Sequence, residues 1–150
     1  MLSVGFAYAK LPAKDVQRAR RFFEEKLGLV PYAELNNHLR YEIGGAYFVI
    51  FPSSGSASGT HDQLGFLVED IKAAVADLRE KGVVFEESQV PNASMENGIA
   101  DFGHLKAAWF KDSEGNLLNL AEGLELAPHQ EEREIVAGDG KVGAGAAIKP

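Results

Sequence analysis

An internal repeat limits what this chain can fold into more than any other feature. Phe6-Ala-Tyr-Ala-Lys-Leu-Pro-Ala-Lys-Asp15 and Leu64-Gly-Phe-Leu-Val-Glu-Asp70 are both strand-like runs that end at an aspartate. A helical pattern follows each. Val16, Ala19, Phe23 and Leu27 fall on one helix face after the first aspartate, and Ile71, Ala74, Val75 and Leu78 do so after the second. Asp15 and Asp70 suit the N-cap, where a side-chain oxygen accepts an otherwise unpaired backbone N–H. Gly28 and Gly82 suit the residue after the helix, which often adopts a left-handed conformation.

Strand patterns resume after each glycine, in Leu29-Val-Pro-Tyr32 and in Val83-Val-Phe-Glu86. The first half then offers His38–Ile43, the pair Gly44-Gly45 and Ala46–Phe51, which reads as a β-hairpin. The second half offers Lys106–Phe110, the turn Asp112-Ser-Glu-Gly-Asn116 and Leu117–Ala121. Each half therefore reads β-α-β-β-β. The expected fold is α+β: tandem βαβββ modules, about 1–52 and 61–123, forming a curled mixed β-sheet around a cleft, with the helices packed outside.

The glycine-serine stretch 53–60 is expected to be a flexible linker. Residues 88–103 are weakly patterned and read as a long loop, a common form for a lid over a site. From 124 to 150 the character changes. Gln130–Val136 can form a short helix between Pro128 and Gly138, and the last residues are rich in glycine and alanine. This segment reads as a mobile tail or as an arm on a partner subunit.

Composition narrows the function classes. The chain has 150 residues and no cysteine, so one domain is expected, and disulfides, thiolate metal sites and a cysteine nucleophile are excluded. A net charge of −7 disfavours nucleic acid, and the basic residues of the first helix interleave with Glu24 and Glu25. No segment resembles a signal peptide or reaches the roughly 20 apolar residues a membrane span needs. A cytoplasmic location is the expectation, with neither nucleic acid nor membrane as a partner.

Three stretches, in order and spacing, resemble the vicinal oxygen chelate superfamily, the group of glyoxalases, ring-cleaving dioxygenases and bleomycin-resistance proteins. Leu11-Pro-Ala-Lys-Asp15 with Ala19-Arg-Arg-Phe-Phe23 and Leu27-Gly-Leu29 resembles its opening strand and helix. Phe66-Leu-Val-Glu-Asp-Ile71 with Leu78 and Gly82-Val83 resembles the start of its second module. Trp109-Phe-Lys-Asp-Ser-Glu-Gly-Asn-Leu-Leu118 resembles its Asp-Pro-Asp-Gly-Asn closing hairpin. The resemblance implies the fold already read from the repeat, and it extends over roughly residues 4 to 122.

Strand alternation sorts the residues of that fold into core and cleft. Leu64, Phe66 and Val68, with Leu118 and Leu120, are the apolar core faces. The cleft then receives Gln63, Gly65 and Leu67, together with Leu117, Asn119 and Ala121. Phe6 and Tyr8 join them in the same register. The resemblance implies metal ligands at cleft positions, typically a His seven residues before each capping aspartate. Those positions hold Tyr8 and Gln63. The closing-strand glutamate falls at Asn119, and the remaining ligand near Ile50 or Phe51. Tyrosine, glutamine and asparagine offer only neutral oxygens, whereas a divalent transition metal favours imidazoles and carboxylates. No metal and no cofactor is expected. His61 and His104 are the weak candidates for another metal arrangement, while His38 and His129 sit in turn or tail.

Binding rather than catalysis is therefore expected. The candidate cleft comprises Phe6, Tyr8, Gln63, Leu67, His104, Trp109, Leu117 and Asn119, an aromatic site with a few polar groups. The metal-free bleomycin-resistance branch implies sequestration of a cationic drug between two subunits, and the acidic balance is compatible with a cationic ligand. A homodimer is expected from family habit and from the exposed sheet edges that such modules leave. The alternatives are a divalent-metal-dependent lyase, isomerase or dioxygenase with non-standard ligands, and a non-catalytic assembly module.

Overall fold

The computed structural model describes residue 3 and residues 5–126. The short helix and arm expected in 124–150 lie, from residue 127 on, outside the described residues, as does His129. The first repeat comprises β1 (Ala9–Ala13), α1 (Val16–Leu27), β2 (Ala33–Leu35), β3 (His38–Ile43) and β4 (Ala46–Pro52). The second comprises β5 (Asp62–Leu67), α2 (Ile71–Glu80), β6 (Ser94–Glu96), β7 (Ile99–Asp101), β8 (Lys106–Lys111) and β9 (Leu117–Glu122). Each repeat makes its own mixed sheet, ordered β1-β4-β3-β2 and β5-β9-β8-β7-β6. In both, the first strand lies parallel to the last and the other pairings are antiparallel. The architecture is the mixed α+β fold expected from the repeat, with the sheet divided in two.

Local chemistry explains the helix ends. Asp15 accepts the Arg18 N–H at 2.9 Å and Asp70 accepts the Ala73 N–H at 3.0 Å, each from an extended N-cap backbone. Gly28 closes α1 at φ 68°, a conformation that costs a residue with a Cβ free energy. Helix α1 buries Val16, Ala19 and Phe23, and α2 buries Ile71, Val75 and Leu78. Alternation supplies the opposing surface, with Leu11, Leu39, Tyr41, Phe48 and Ile50 under α1 and Phe110, Leu118 and Leu120 under α2. Phe23 packs on Tyr41 and Phe48 with ring centroids 5.6 and 5.8 Å away. The Tyr41 hydroxyl is buried there without a hydrogen-bond partner, and burial pushes its pKa up to about 12.

Three expectations about the strands are corrected. The strand placed at Leu29–Tyr32 begins later, at Ala33, and turns into β3 through Asn36 and Asn37 at φ 51° and 60°. Val83–Glu86 is not a strand and forms only a single bridge, from Phe85 to Phe110. The stretch 88–103 is not a bare loop. It contains the β6–β7 hairpin, which extends the second sheet at its edge. Its turn is Asn97-Gly98 at φ 52° and 76°, the type I′ geometry that this residue pair favours.

The hairpin that ends the second repeat is bonded to the corner that begins the first. Asp112 accepts the amides of Glu114 and Asn116 at 2.8 and 2.9 Å, and Asn116 Nδ2 donates to the Pro12 carbonyl at 3.0 Å. Glu114 accepts the Asp15 amide at 3.0 Å and both Arg18 Nε and Nη2, at 2.7 and 2.9 Å. Burial opposes the charge on Glu114. The bonds from Arg18, Asp15 and Ser113 outweigh it and hold the carboxyl at about 2. Asp112 is shifted the other way, because burial raises it more than its Asn116 and amide bonds lower it. Among the described residues no helix is long and apolar enough to cross a membrane.

Candidate functional site

The face of each sheet turned away from its helix is free for function. On the first sheet it carries Lys10 and Pro12 from β1, His38, Arg40 and Glu42 from β3, and Tyr47, Val49 and Phe51 from β4, because these alternate with the core residues. Lys10, Val49 and Arg40 form one cross-strand row. The chain before β1 lies over this face. Phe6 stacks on Tyr47 at 5.4 Å and 29°, and Tyr32 meets Tyr47 edge-on at 6.2 Å and 83°. Phe6, Tyr8, Tyr32 and Leu35 remain about half exposed. Together they enclose a cavity of about 470 Å³, within the ~300–1,000 Å³ usual for small-molecule sites. Its polar groups are Lys10, Asn36, His38 and Arg40, with the hydroxyls of Tyr8, Tyr32 and Tyr47. Asn36 fixes the ring of His38, whose Nδ1 donates to the Asn36 carbonyl at 2.8 Å, leaving Nε2 for another partner.

The second sheet presents a different free face. Gly65, Asn119 and Trp109 form one cross-strand row, and Leu67, Ala121 and Ala107 the next. Asn119 Nδ2 makes a long bond of 3.4 Å to the Ala108 carbonyl. Gln63 sits at an irregularity between Asp62 and Leu64, and its Oε1 is buried without a partner.

Phe6 and Tyr8 thus line the cavity of the first sheet. Gln63, Leu67, Trp109, Leu117 and Asn119 lie on the second sheet, and His104 lies in the exposed turn before β8. None of these six lines that cavity. His61 is exposed and bonded to Ser58 Oγ at 3.0 Å. His38, read from sequence at the turn where the strand 38–43 begins and outside the candidate cleft, opens β3 and reaches the cavity. Sequence reasoning missed Lys10, Tyr32, Asn36, Arg40 and Tyr47. The signal was present, since Arg40 and Tyr47 alternate with the apolar residues of the Gly44-Gly45 hairpin, as cleft residues must.

A sequence profile of the Glyoxalase/Bleomycin resistance protein/Dioxygenase superfamily matches residues 5–120. The chain belongs to this superfamily. Among solved structures it is similar to the fosfomycin resistance protein FosX from Listeria monocytogenes, with a TM-score of 0.62 and 16% identity over 83% of this chain and 96% of that one. A virulence protein of Salmonella typhimurium aligns with a TM-score of 0.58 and 20% identity, over 83% and 100% of the two chains. A glyoxalase family protein from Enterococcus faecalis aligns with a TM-score of 0.59 and 25% identity, over 77% and 94%. No curated protein matches.

Membership of a glyoxalase superfamily raises the question of a metal, and the residues present do not fit one. Of the implied ligand positions, Tyr8 stands on the first sheet's cavity while Gln63 and Asn119 are on the other sheet. All three offer neutral oxygens. Ile50 is 1% exposed and turned into the helix-side core, and Phe51 has no donor. Among the described residues no group of three or more His, Cys, Asp or Glu side chains comes together.

Proposed function

We propose that this superfamily member is a metal-independent small-molecule binding protein that sequesters its ligand in an aromatic cleft. The observation that carries the reading is the cavity beneath Phe6, Tyr47 and Tyr32. It pairs half-exposed rings, which a ligand would cover, with a few polar groups that can orient it. The open face of the second sheet, with Gln63, Leu67, Trp109 and Asn119, completes the cleft when a second copy is laid over the first. That homodimer would cover the exposed Leu67 of the second sheet and the exposed Tyr32 and Leu35 of the first.

A thermal-shift screen of a small-molecule library against the full-length protein tests the reading. The expected hits stabilise the wild type and lose their effect in Tyr47→Ala and Tyr8→Ala. Hits indifferent to both substitutions move the site elsewhere. Sedimentation at micromolar concentration showing monomer alone refutes the homodimer.

The rival is a divalent-metal-dependent lyase or isomerase. It has one support, that a FosX variant was solved with Mn(II) and a dihydroxypropylphosphonic acid. Elemental analysis after incubation with Mn²⁺, Ni²⁺, Zn²⁺ or Fe²⁺ decides between the two. Stoichiometric metal that Asn119→Ala removes would replace the binding reading with the enzymatic one.

A further inference from the structure

The charge of the cavity runs against the charge of the chain. The protein has 22 acidic and 15 basic residues, yet among the described residues no carboxylate lines the cavity, while Lys10, Arg40 and His38 do. The acids closest in sequence are engaged elsewhere. Glu34, beside Leu35 on β2, accepts from Arg20 Nη1 at 2.8 Å and from Gln17 Nε2 at 3.1 Å, both on α1. Glu42 follows Arg40 on the same face of β3 but accepts the Gly45 amide at 2.9 Å.

Among the described residues neither Arg40 nor Lys10 has a carboxylate within ion-pair distance. Lys14, Arg21, Lys26 and Lys72 also have none, but they do not line the cavity, and Arg18, Arg20, Arg79, Lys81, Lys106 and Lys111 are paired. The Lys10 ammonium instead rests 4.4 Å from the centre of the Phe51 ring, at the end of the row that Lys10 shares with Val49 and Arg40.

We propose that the cavity selects an organic oxyanion with a flat apolar body, its charge on Arg40 and its ring against Tyr47 and Phe6. This rests on the ligand-binding reading above and names the ligand class. Arginine's planar fork matches the two oxygens of a carboxylate or the edge of a phosphonate. Lys10 adds a second positive charge at the rim. The stacked rings supply area on which a planar body displaces water. The negative net charge therefore misleads about the ligand, because among the described residues no acid lines the cavity, while Lys10, Arg40 and His38 do.

The test uses three probes of one shape and different charge: 1-naphthoate, 1-naphthalenemethanol and 1-naphthylmethylammonium. Each is titrated into the full-length protein by calorimetry. Naphthoate is expected to bind about tenfold tighter than the alcohol and the ammonium weakest, the usual scale for a charge-assisted contact. Arg40→Gln should abolish that preference while leaving the alcohol within about twofold, and Arg40→Lys should retain part of it.

Equal binding of the three probes, or a preference for the ammonium, overturns the anion inference and leaves the binding-protein reading standing. Absence of binding by all three, with no hit in the library screen that responds to Tyr47→Ala, overturns both. A third result also defeats the inference: Arg40→Gln shifting sedimentation to smaller species without changing naphthoate affinity. Arg40 would then pair with a carboxylate of a second copy.

Discussion

The two repeats bury the same kind of surface and expose different ones. On the helix side, Phe23 over Tyr41 and Phe48 corresponds to Ile71, Val75 and Leu78 over Phe110, Leu118 and Leu120. On the free side, the first sheet shows Tyr47, Arg40 and Lys10, and the second shows Gly65, Leu67, Asn119 and Trp109, with Ala107 and Ala121 buried between them. Packing a helix on a sheet leaves few solutions, so both repeats arrive at the same one. The other face has no such constraint and is where the halves have diverged. Function in this molecule is best sought where the repeats disagree.

Predictions that challenge this contrast begin in the shared core. Phe23→Ala and Phe110→Ala should each cost about 3–5 kcal/mol by chemical denaturation, because both remove a fully buried ring. If only one repeat responded so strongly, the two cores would not be equivalent.

The junction between repeats comes next. Glu114→Gln should cost about 2 kcal/mol at pH 7, since it breaks a charge-assisted pair whose carboxylate is only 2% exposed. The folded carboxyl lies at about 2, below its ordinary value of 4.5, so its contribution is complete above the ordinary value and disappears as pH falls through about 2. The gap between wild type and variant should therefore be constant near neutrality and close on acidification. Asp112 works in the opposite sense. Its raised pKa makes protonation favour the folded state, which softens the acid limb of the same titration.

On the free face the order of effects reverses. Tyr47→Ala should change stability by no more than about 1 kcal/mol, as partly exposed positions do, yet remove the response to cavity ligands. A large loss of stability there would mean that the ring is core rather than site.

The smallest effect should have an unusual sign. Tyr41→Phe keeps the ring stacked 4.6 Å from Phe48 and deletes a buried hydroxyl without a partner. It should leave stability unchanged or raise it by up to about 1 kcal/mol, measured by thermal unfolding.

Legibility in the sequence followed the range of the interactions. Asp15, Asp70, Gly28 and the Gly44-Gly45 turn are local devices and can be read from a few residues. The β6–β7 hairpin was missed because Ser94–Glu96 lacks strong strand formers, even though Asn97-Gly98 is a strong turn signal. Which strand residues turn away from the helices was legible within each repeat, as at Leu67 and Asn119. Nothing along the chain says whether two free faces meet. That depends on how the sheets are arranged, and here Tyr8, just before β1, lines the cavity of the first sheet while Asn119 lies on the second. The orphaned Gln63 oxygen and the Glu114–Arg18 pair likewise depend on contacts between distant segments.

The bonds of Glu114 and Asn116 also bear on the order of assembly. They complete the β1–α1 corner with residues 96 to 104 positions later in the chain. During synthesis the first repeat must wait with its Asp15 amide and Pro12 carbonyl unsatisfied by protein until the closing hairpin emerges. Such distant closure slows folding and couples it across both halves. The repeats look like two small units, but these bonds make the corner of the first depend on the last hairpin of the second.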